Sequence, residues 1–230
     1  MMNIPGVTFY LVGGSVRDAL LGKTVKDKDY VVVTDMGFDE LAAALEKAGY
    51  LIYVRKPEFL TLRVRTGTET VDIAFPRVDG PYKDGRRPEG VTPAQSLKED
   101  ASRRDFTINS LYMDADGEIV DFFGGERDLA AGVIRTVGDP DERFKEDYLR
   151  ILRAIRFSAT LRFNIDYNTH LAMVRNAHRI ALVSADRIRE ELSKALRANP
   201  KRVFQEIDAL GLWGILFEKG ITFGATQREQ

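Results

Sequence analysis

Apolar residues fall into two regimes along the chain. Up to about residue 137 they come as short β-branched and aromatic runs between turn signals, which predicts strands over residues 9–12, 30–33, 50–54, 60–65 and 70–75. Between the second and third of these, Phe38, Leu41, Leu45 and Ala48 recur at helical spacing. Gly49 follows them as a stop signal, giving a β-α-β passage. Residues 76–93 are rich in Pro and Gly and predict a mobile loop. Residues 95–114 read as helix with a break, and 119–122 and 133–137 as closing strands. Beyond Gly138-Asp139-Pro140 the period changes to that of helices alone. Leu149, Leu152, Ile155 and Ala159 form one apolar stripe, and further helices are expected over 167–181, 185–198 and 200–210. The change places a domain boundary near Asp139, with domains expected over 1–138 and 139–230.

Composition narrows the chemistry. Among 230 residues there is no Cys and only two His, His170 and His178. Disulfide frameworks, thiolate nucleophiles and Cys-ligated metals are therefore excluded, and both His read as ordinary helical residues. Trp213 reads as core or as an interface anchor. The formal net charge of −1 announces no global field for nucleic acid. Residues 138–204 alone nevertheless carry an excess of five positive charges, so any basic face lies in the helical half. The opening Met-Met-Asn-Ile-Pro-Gly has no basic n-region and no long uncharged apolar stretch follows, so neither a signal peptide nor a membrane span is expected, and the cytoplasm is the default compartment.

Three patterns carry chemistry. Gly13-Gly14-Ser15-Val16-Arg17-Asp18 runs from a strand into a helix; it is either a tight turn that uses glycine for its φ angles or a cradle whose N–H groups approach a phosphate. Asp27 and Asp29 precede and enter the strand at 30–33. The period of two puts both carboxylates on one face, as a solvated turn or as hard oxygen ligands for Mg2+. Asp72 points away from Val71 and Ile73, and it joins them if the two strands are adjacent. Three convergent carboxylates suit two-metal phosphoryl transfer. Finally, Glu146 and Arg150 are spaced as an i,i+4 ion pair, while Arg150, Arg153 and Arg156 recur at i, i+3, i+6. That strip is either a solvated face or a grip for triphosphate or RNA.

Together these residues resemble a known family. The glycine motif with Leu21-Gly22 and Asp27-x-Asp29 is similar to the signature of the nucleotidyltransferase superfamily that includes DNA polymerase β. Arg86-Arg87-Pro88-Glu89, Arg103-Arg104-Asp105-Phe106-Thr107-Ile108-Asn109 and the run from Arg143 to Phe157 match it to the class II tRNA nucleotidyltransferase (CCA-adding enzyme) and bacterial poly(A) polymerase family, over about residues 8–200. The resemblance implies an α+β fold: a nucleotidyltransferase head with a mixed β-sheet and flanking helices, followed by an all-helical neck. It implies addition of CMP and AMP from CTP and ATP to the tRNA 3′ end, with release of pyrophosphate. Poly(A) synthesis or C-only or A-only addition is the alternative with the same chemistry, and a non-catalytic RNA- or nucleotide-binding module is the alternative of another class. By the same resemblance Asp27 and Asp29 hold Mg2+ and Asp72 assists hydroxyl activation. Gly13, Gly14, Ser15 and Arg17 grip the triphosphate, and Arg104, Asp105 and Asn109 lie beside the nucleotide. Asp147 and Arg150 read the base from one helix, and Arg153 and Arg156 support phosphates.

Two departures are visible. Lys56-Pro57-Glu58-Phe59-Leu60-Thr61 lacks the Gly-Thr pair expected before the strand of Asp72. Family members also continue past the neck into helical body and tail domains that hold the tRNA elbow, whereas this sequence ends at Gln230. It reads as a fragment, a short form or one part of a split protein, with a second copy or a separate RNA-binding partner expected to replace the missing surface.

Overall fold

The computed structural model describes residues 2–25, 27–67, 69–80 and 90–223. These form two compact units. The first comprises described residues up to 131 together with 135–138, and the second comprises 132–134 and the residues from 139 onward.

The first unit contains, in order, β1 (Val7–Val12), α1 (Gly14–Leu20), β2 (Lys28–Thr34), α2 (Phe38–Lys47), β3 (Leu51–Lys56), β4 (Thr61–Thr66), β5 (Glu69–Ala74), β6 (Arg77–Asp79), β7 (Val91–Pro93), α3 (Leu97–Ser102), β8 (Leu111–Met113), β9 (Ile119–Asp121) and α4 (Gly125–Ala131). Seven strands join in the order β3-β4-β5-β2-β1-β8-β9. Only β2 and β5 run parallel; the other pairs are antiparallel, so the sheet is mixed. Alternation explains the five long strands. Leu62, Val64, Val71, Ile73 and Val32 turn to one side and pack with Leu41, Ala42 and Leu45 of α2, while the intervening polar residues face away.

Several expectations change here. The predicted loop over 76–93 begins and ends in paired strands, β6 against β7, because Val78 and Thr92 pair across it. Residues 81–89, including Arg86-Arg87-Pro88-Glu89, lie outside the described residues. The expected helix over 95–114 is α3, a single 3-10 turn (Thr107–Asn109) and strand β8, since the apolar run at 111–113 completes the sheet beside β1. Residues 133–137 do not close that sheet. The backbone N–H of Thr107 donates to the carbonyl of Arg135 (2.9 Å), and that of Val137 donates to the carbonyl of Asp105 (3.1 Å). At the Gly-Thr departure the chain makes a 3-10 turn (Pro57–Phe59), after which Leu60 takes the left-handed conformation at φ 54 that glycine adopts without strain.

The second unit contains β10 (Val133–Ile134), α5 (Pro140–Glu146), α6 (Leu149–Leu161), β11 (Asn164–Ile165), α7 (Tyr167–Asn176), α8 (Ala185–Ala198), α9 (Pro200–Ala209) and α10 (Trp213–Glu218). It is not purely helical, because β10 and β11 pair in parallel. The α6 stripe is buried as its period requires, with Leu149, Leu152, Ile155 and Ala159 all in the core against α8 and α9. Asn199 caps α9 by accepting from the N–H of Arg202, and Pro200 occupies its first turn. Trp213 stacks on Phe204 and Phe217 (5.8 and 6.0 Å between ring centroids), and His170 lies 3.4 Å from Glu206. Among the described residues no helix is long and apolar enough to cross a membrane.

Candidate active site

The glycine turn is built by backbone geometry. Gly13 ends β1 at φ +66, and its N–H donates to the carbonyl of Leu111 (3.1 Å). A Cβ there would sit 3.1 Å from Nη1 of Arg104, so the φ angle favours glycine and any side chain would press on that guanidinium. Side chains of the motif then tie the turn to the next elements. The Ser15 hydroxyl donates to the carbonyl of Asp27 (2.7 Å), and Arg17 donates from Nη1 to Asn109 (2.6 Å) while its Nε and Nη2 meet the Asp18 carboxylate. Asn109 in turn donates to Asp105 (3.0 Å). Gly13, Arg17, Asn109 and Asp105 are thus joined in one hydrogen-bonded network, with Arg104 beside Gly13 and Ser15 tied separately to the chain at Asp27. Gly13→Ala is expected to destabilise the protein by about 1–2 kcal/mol, the cost of placing a side chain at positive φ, and to push Arg104 aside. Thermal melts and nucleotide KM measure the two effects; an unchanged KM would dissociate Arg104 from the turn.

The carboxylates meet the condition set by the sequence. β2 lies parallel to β5 with Asp29 directly opposite Asp72, and Asp27 stands two residues before Asp29. Loss of water around its carboxylate raises the Asp29 pKa first, and the negative charges of Asp72 and Asp27 add to this against the cations Arg104 and Arg63. Asp72 itself is engaged: Arg63 on β4 donates from Nε and Nη2 to its two oxygens, each at 2.7 Å. Among the described residues no three Asp, Glu or His side chains close into a ready ion cage. Asp27 and Asp29 nevertheless offer the hard, mutually repelling oxygen donors that suit a divalent cation.

Sequence reasoning missed the residues that hold Arg104. Asp100 is fully buried and accepts from Nη2 of Arg104 (3.0 Å), from Nη2 of Arg103 (2.7 Å) and from the Tyr112 hydroxyl (2.6 Å). Arg104 also donates from Nε to the Tyr112 oxygen (3.2 Å) and lies over that ring. Burial alone would raise the Asp100 pKa. The two guanidiniums and the hydrogen bonds overcome it and bring the pKa down to about 2. The i,i+4 spacing of Asp100 and Arg104 was a signal in the sequence; the hydroxyl of Tyr112, from another strand, was not.

In the second unit the Glu146-Asp147-x-x-Arg150 motif is not one helix. Asp147 ends α5 in an extended conformation, because its carboxylate accepts the N–H of Leu149 (3.0 Å) and so breaks the helical ladder. Its oxygens also take Nη1 and Nη2 of Arg187 on α8, at 3.3 and 2.7 Å. Arg150 lies in the first turn of the next helix, α6. It pairs with Glu146 as its spacing predicted and donates to the carbonyl of Arg143 (2.9 Å). The arginine strip meets a carboxylate from α8: Glu191 lies 2.6 Å from Arg156 and 4.0 Å from Arg153, and both guanidiniums sit over the Phe157 ring.

Comparison with known proteins agrees with this architecture. Residues 9–135 match the poly A polymerase head domain, and residues 162–222 match the family described as the probable RNA and SrmB-binding site of polymerase A. A CCA-adding enzyme of Leuconostoc mesenteroides is 44% identical over 191 residues, which is 83% of this chain and 46% of that protein. One from Geobacillus thermodenitrificans is 42% identical over 195 residues, covering 85% and 47%. Among solved structures, the Bacillus stearothermophilus CCA-adding enzyme in complex with CTP aligns with TM-score 0.75 and 32% identity, over 94% of this chain and 49% of that one. The Thermotoga maritima CCA-adding enzyme complexed with tRNA aligns with TM-score 0.76 and 30% identity, over 96% and 50%. The chain thus spans about half the length of the curated relatives it matches. With the head-domain match covering more than half of its residues, the chain belongs to the poly A polymerase head-domain family.

Proposed function

We propose that this chain carries template-independent addition of CMP and AMP, from CTP and ATP, to the 3′ end of tRNA. The first 138 residues act as catalytic head and residues 139–230 as nucleotide-selecting, RNA-binding neck in a cytoplasmic enzyme. The observation that carries the reading is the in-register placement of Asp29 and Asp72 beside a glycine turn that Ser15 ties to Asp27. Relatives named as CCA-adding enzymes and solved structures holding CTP or tRNA support the choice of substrates. Family membership implies a divalent metal; Mg2+ is the proposed ion, held by Asp27 and Asp29, whose crowded carboxylates fit a hard cation. When bound it supplies charge neutralisation on the triphosphate and Lewis acidity at the reacting oxygens.

The protein's own groups do the rest. Gly13, Gly14, Ser15 and Arg17 hold the triphosphate with backbone N–H groups and guanidinium, and Arg104, Asp105 and Asn109 keep that surface rigid. The primer 3′-oxygen attacks the α-phosphorus, the bond to the β-phosphate oxygen breaks, and pyrophosphate leaves; Asp72 assists in drawing off the hydroxyl proton. Asp147 and Arg150 present an acceptor and a donor to the base edge, while Arg153 and Arg156 contribute to phosphate binding. Sequencing the 3′ ends of a tRNA transcript lacking CCA, after incubation with CTP and ATP separately and together, tests the reading. Ordered CCA ends are expected. Long A tails or single-nucleotide products would assign the sister activities, and no addition with retained RNA binding would make the chain a binding module.

Base selection has its own test. Asp147→Ala removes an acceptor for the exocyclic amino group of cytosine or adenine, and a hydrogen bond to a charged group is worth roughly 1.5–3 kcal/mol. CTP and ATP incorporation should therefore fall about 10- to 100-fold relative to UTP. Arg153→Ala should slow all three nucleotides evenly. Equal slowing in Asp147→Ala would assign that carboxylate to the ion pair with Arg187 alone.

A further inference from the structure

The sheet face that carries Asp29 and Asp72 continues onto β3 and β4. Leu62 and Val64 are buried with α2, so strict alternation leaves Thr61, Arg63 and Arg65 on the opposite side, where Arg63 already meets Asp72. A register shift between Ile52 and Val54 pushes Tyr53 out of the β3 ladder. Tyr53 is 51% exposed, and its hydroxyl accepts from Nη1 of Arg65 (3.0 Å). Arg65 also donates to the carbonyl of Gly67 (3.0 Å), and among the described residues it pairs with no carboxylate. Charge on an edge strand is a common defence against aggregation, but β4 is the second strand of the sheet, so its two arginines do not serve that end.

The two flanks of Asp29 differ in kind. On one side, β1 is antiparallel to β2 with Leu11 opposite Tyr30, which brings the glycine turn at the end of β1 level with the start of β2. On the other side stand β5 and then β4. In-line displacement requires the attacking and leaving oxygens on opposite sides of the phosphorus. With the triphosphate at the glycine turn, the primer must approach from the β4 flank. Arg63 is one strand away from Asp72, about 5 Å, and Arg65 is roughly 7 Å further along the strand.

We propose that Tyr53, Arg63 and Arg65 form a contact track for the single-stranded 3′ end of the RNA primer. Tyr53 stacks on a base, Arg65 holds a backbone phosphate, and Arg63 exchanges Asp72 for a phosphate as the primer arrives. The exchange is accessible because a half-exposed ion pair is weak and a phosphate offers Arg63 the same two-oxygen fit. The track rests on the reading of Asp29 and Asp72 as the reacting centre. An exposed aromatic ring beside exposed guanidinium groups is the combination that binds single-stranded RNA without reading its sequence.

The test uses the whole chain, a tRNA transcript ending in CC as primer, and ATP. Tyr53→Ala and Arg65→Gln are expected to raise the primer KM about 5- to 100-fold, the range of a lost stack, and to leave the ATP KM within about twofold. Tyr53→Phe should retain primer binding, and Arg65→Gln should lower the salt dependence of binding by about one phosphate contact. Both variants change exposed side chains, and circular dichroism melts check that the fold persists. Primer KM unchanged in both, or primer and ATP KM rising together, overturns the track. Filter binding of the same transcript without nucleotide separates the two readings. Weakened binding by the variants of a chain that adds nothing keeps the track and removes the reaction, while normal binding by the variants of an active chain does the reverse.

Discussion

Asp29→Ala should abolish nucleotide addition, lowering kcat by about a thousandfold or more, because several kcal/mol of charge stabilisation at the reacting phosphate depends on that carboxylate. Asp27→Ala should behave alike. The same substitution should not weaken the fold. The Asp29 pKa is raised by desolvation and then by the charge of Asp72, so the folded state disfavours the ionised form. Below the ordinary value of 3.8 the group is neutral in both folded and unfolded chains and carries no cost. Above the raised folded value it is ionised in both, and the folded state bears the whole cost of desolvation and repulsion. Asp29→Asn should therefore melt higher than the parent chain at pH 7.5, and the difference should shrink as the pH falls toward 4. Adding Mg2+ should raise the melting temperature of the parent chain at pH 7.5 more than that of Asp29→Asn. Turnover within tenfold of the parent, or a lower melting temperature for Asp29→Asn at pH 7.5, would remove the carboxylate pair from the reacting centre.

The parts of the fold that could be read in advance are those where one residue's period decides its neighbours. β1 to β5 alternate because one face must cover α2, and α6 repeats at Leu149, Leu152, Ile155 and Ala159 because one stripe must face α8 and α9. The motif residues around Gly13 were legible for a related reason, since a positive φ and close approach leave glycine few substitutes. What escaped depends on a partner far away in the chain. Residues 133–137 read as a sheet strand, yet the carbonyl of Arg135 and the N–H of Val137 are taken by Thr107 and Asp105. The break at Asp147 arises when a side chain claims a backbone N–H, an event that apolar periodicity does not register. Arg153 and Arg156 read as a solvated face or a phosphate grip, whereas Glu191, 35 residues beyond Arg156, lies against them. Arg63 was unremarkable in a strand until β5 placed Asp72 beside it.

The support of Arg104 is the clearest such case, and it gives the largest expected effect on stability. Asp100→Ala leaves two guanidiniums facing a buried site without their shared carboxylate, and removing one member of a buried charge cluster costs about 3–5 kcal/mol. The pH dependence follows from the lowered pKa. Asp100 titrates near 3.8 when unfolded and near 2 when folded, so its contribution is fully present above 3.8 and is lost as the pH falls from 3.8 toward 2. The difference between those values corresponds to about 2–3 kcal/mol. Urea melts at pH 7 and pH 3 should show the Asp100→Ala deficit narrowing at the lower pH. A double variant, Asp100→Ala with Arg104→Met, separates the pair from its surroundings. It should recover part of the loss, because the stranded charge of Arg104 is gone, while nucleotide KM stays high for want of the guanidinium beside Gly13. If the double variant is no more stable than Asp100→Ala, or if its nucleotide KM returns to that of the parent chain, Asp100 is not what holds Arg104 against the glycine turn.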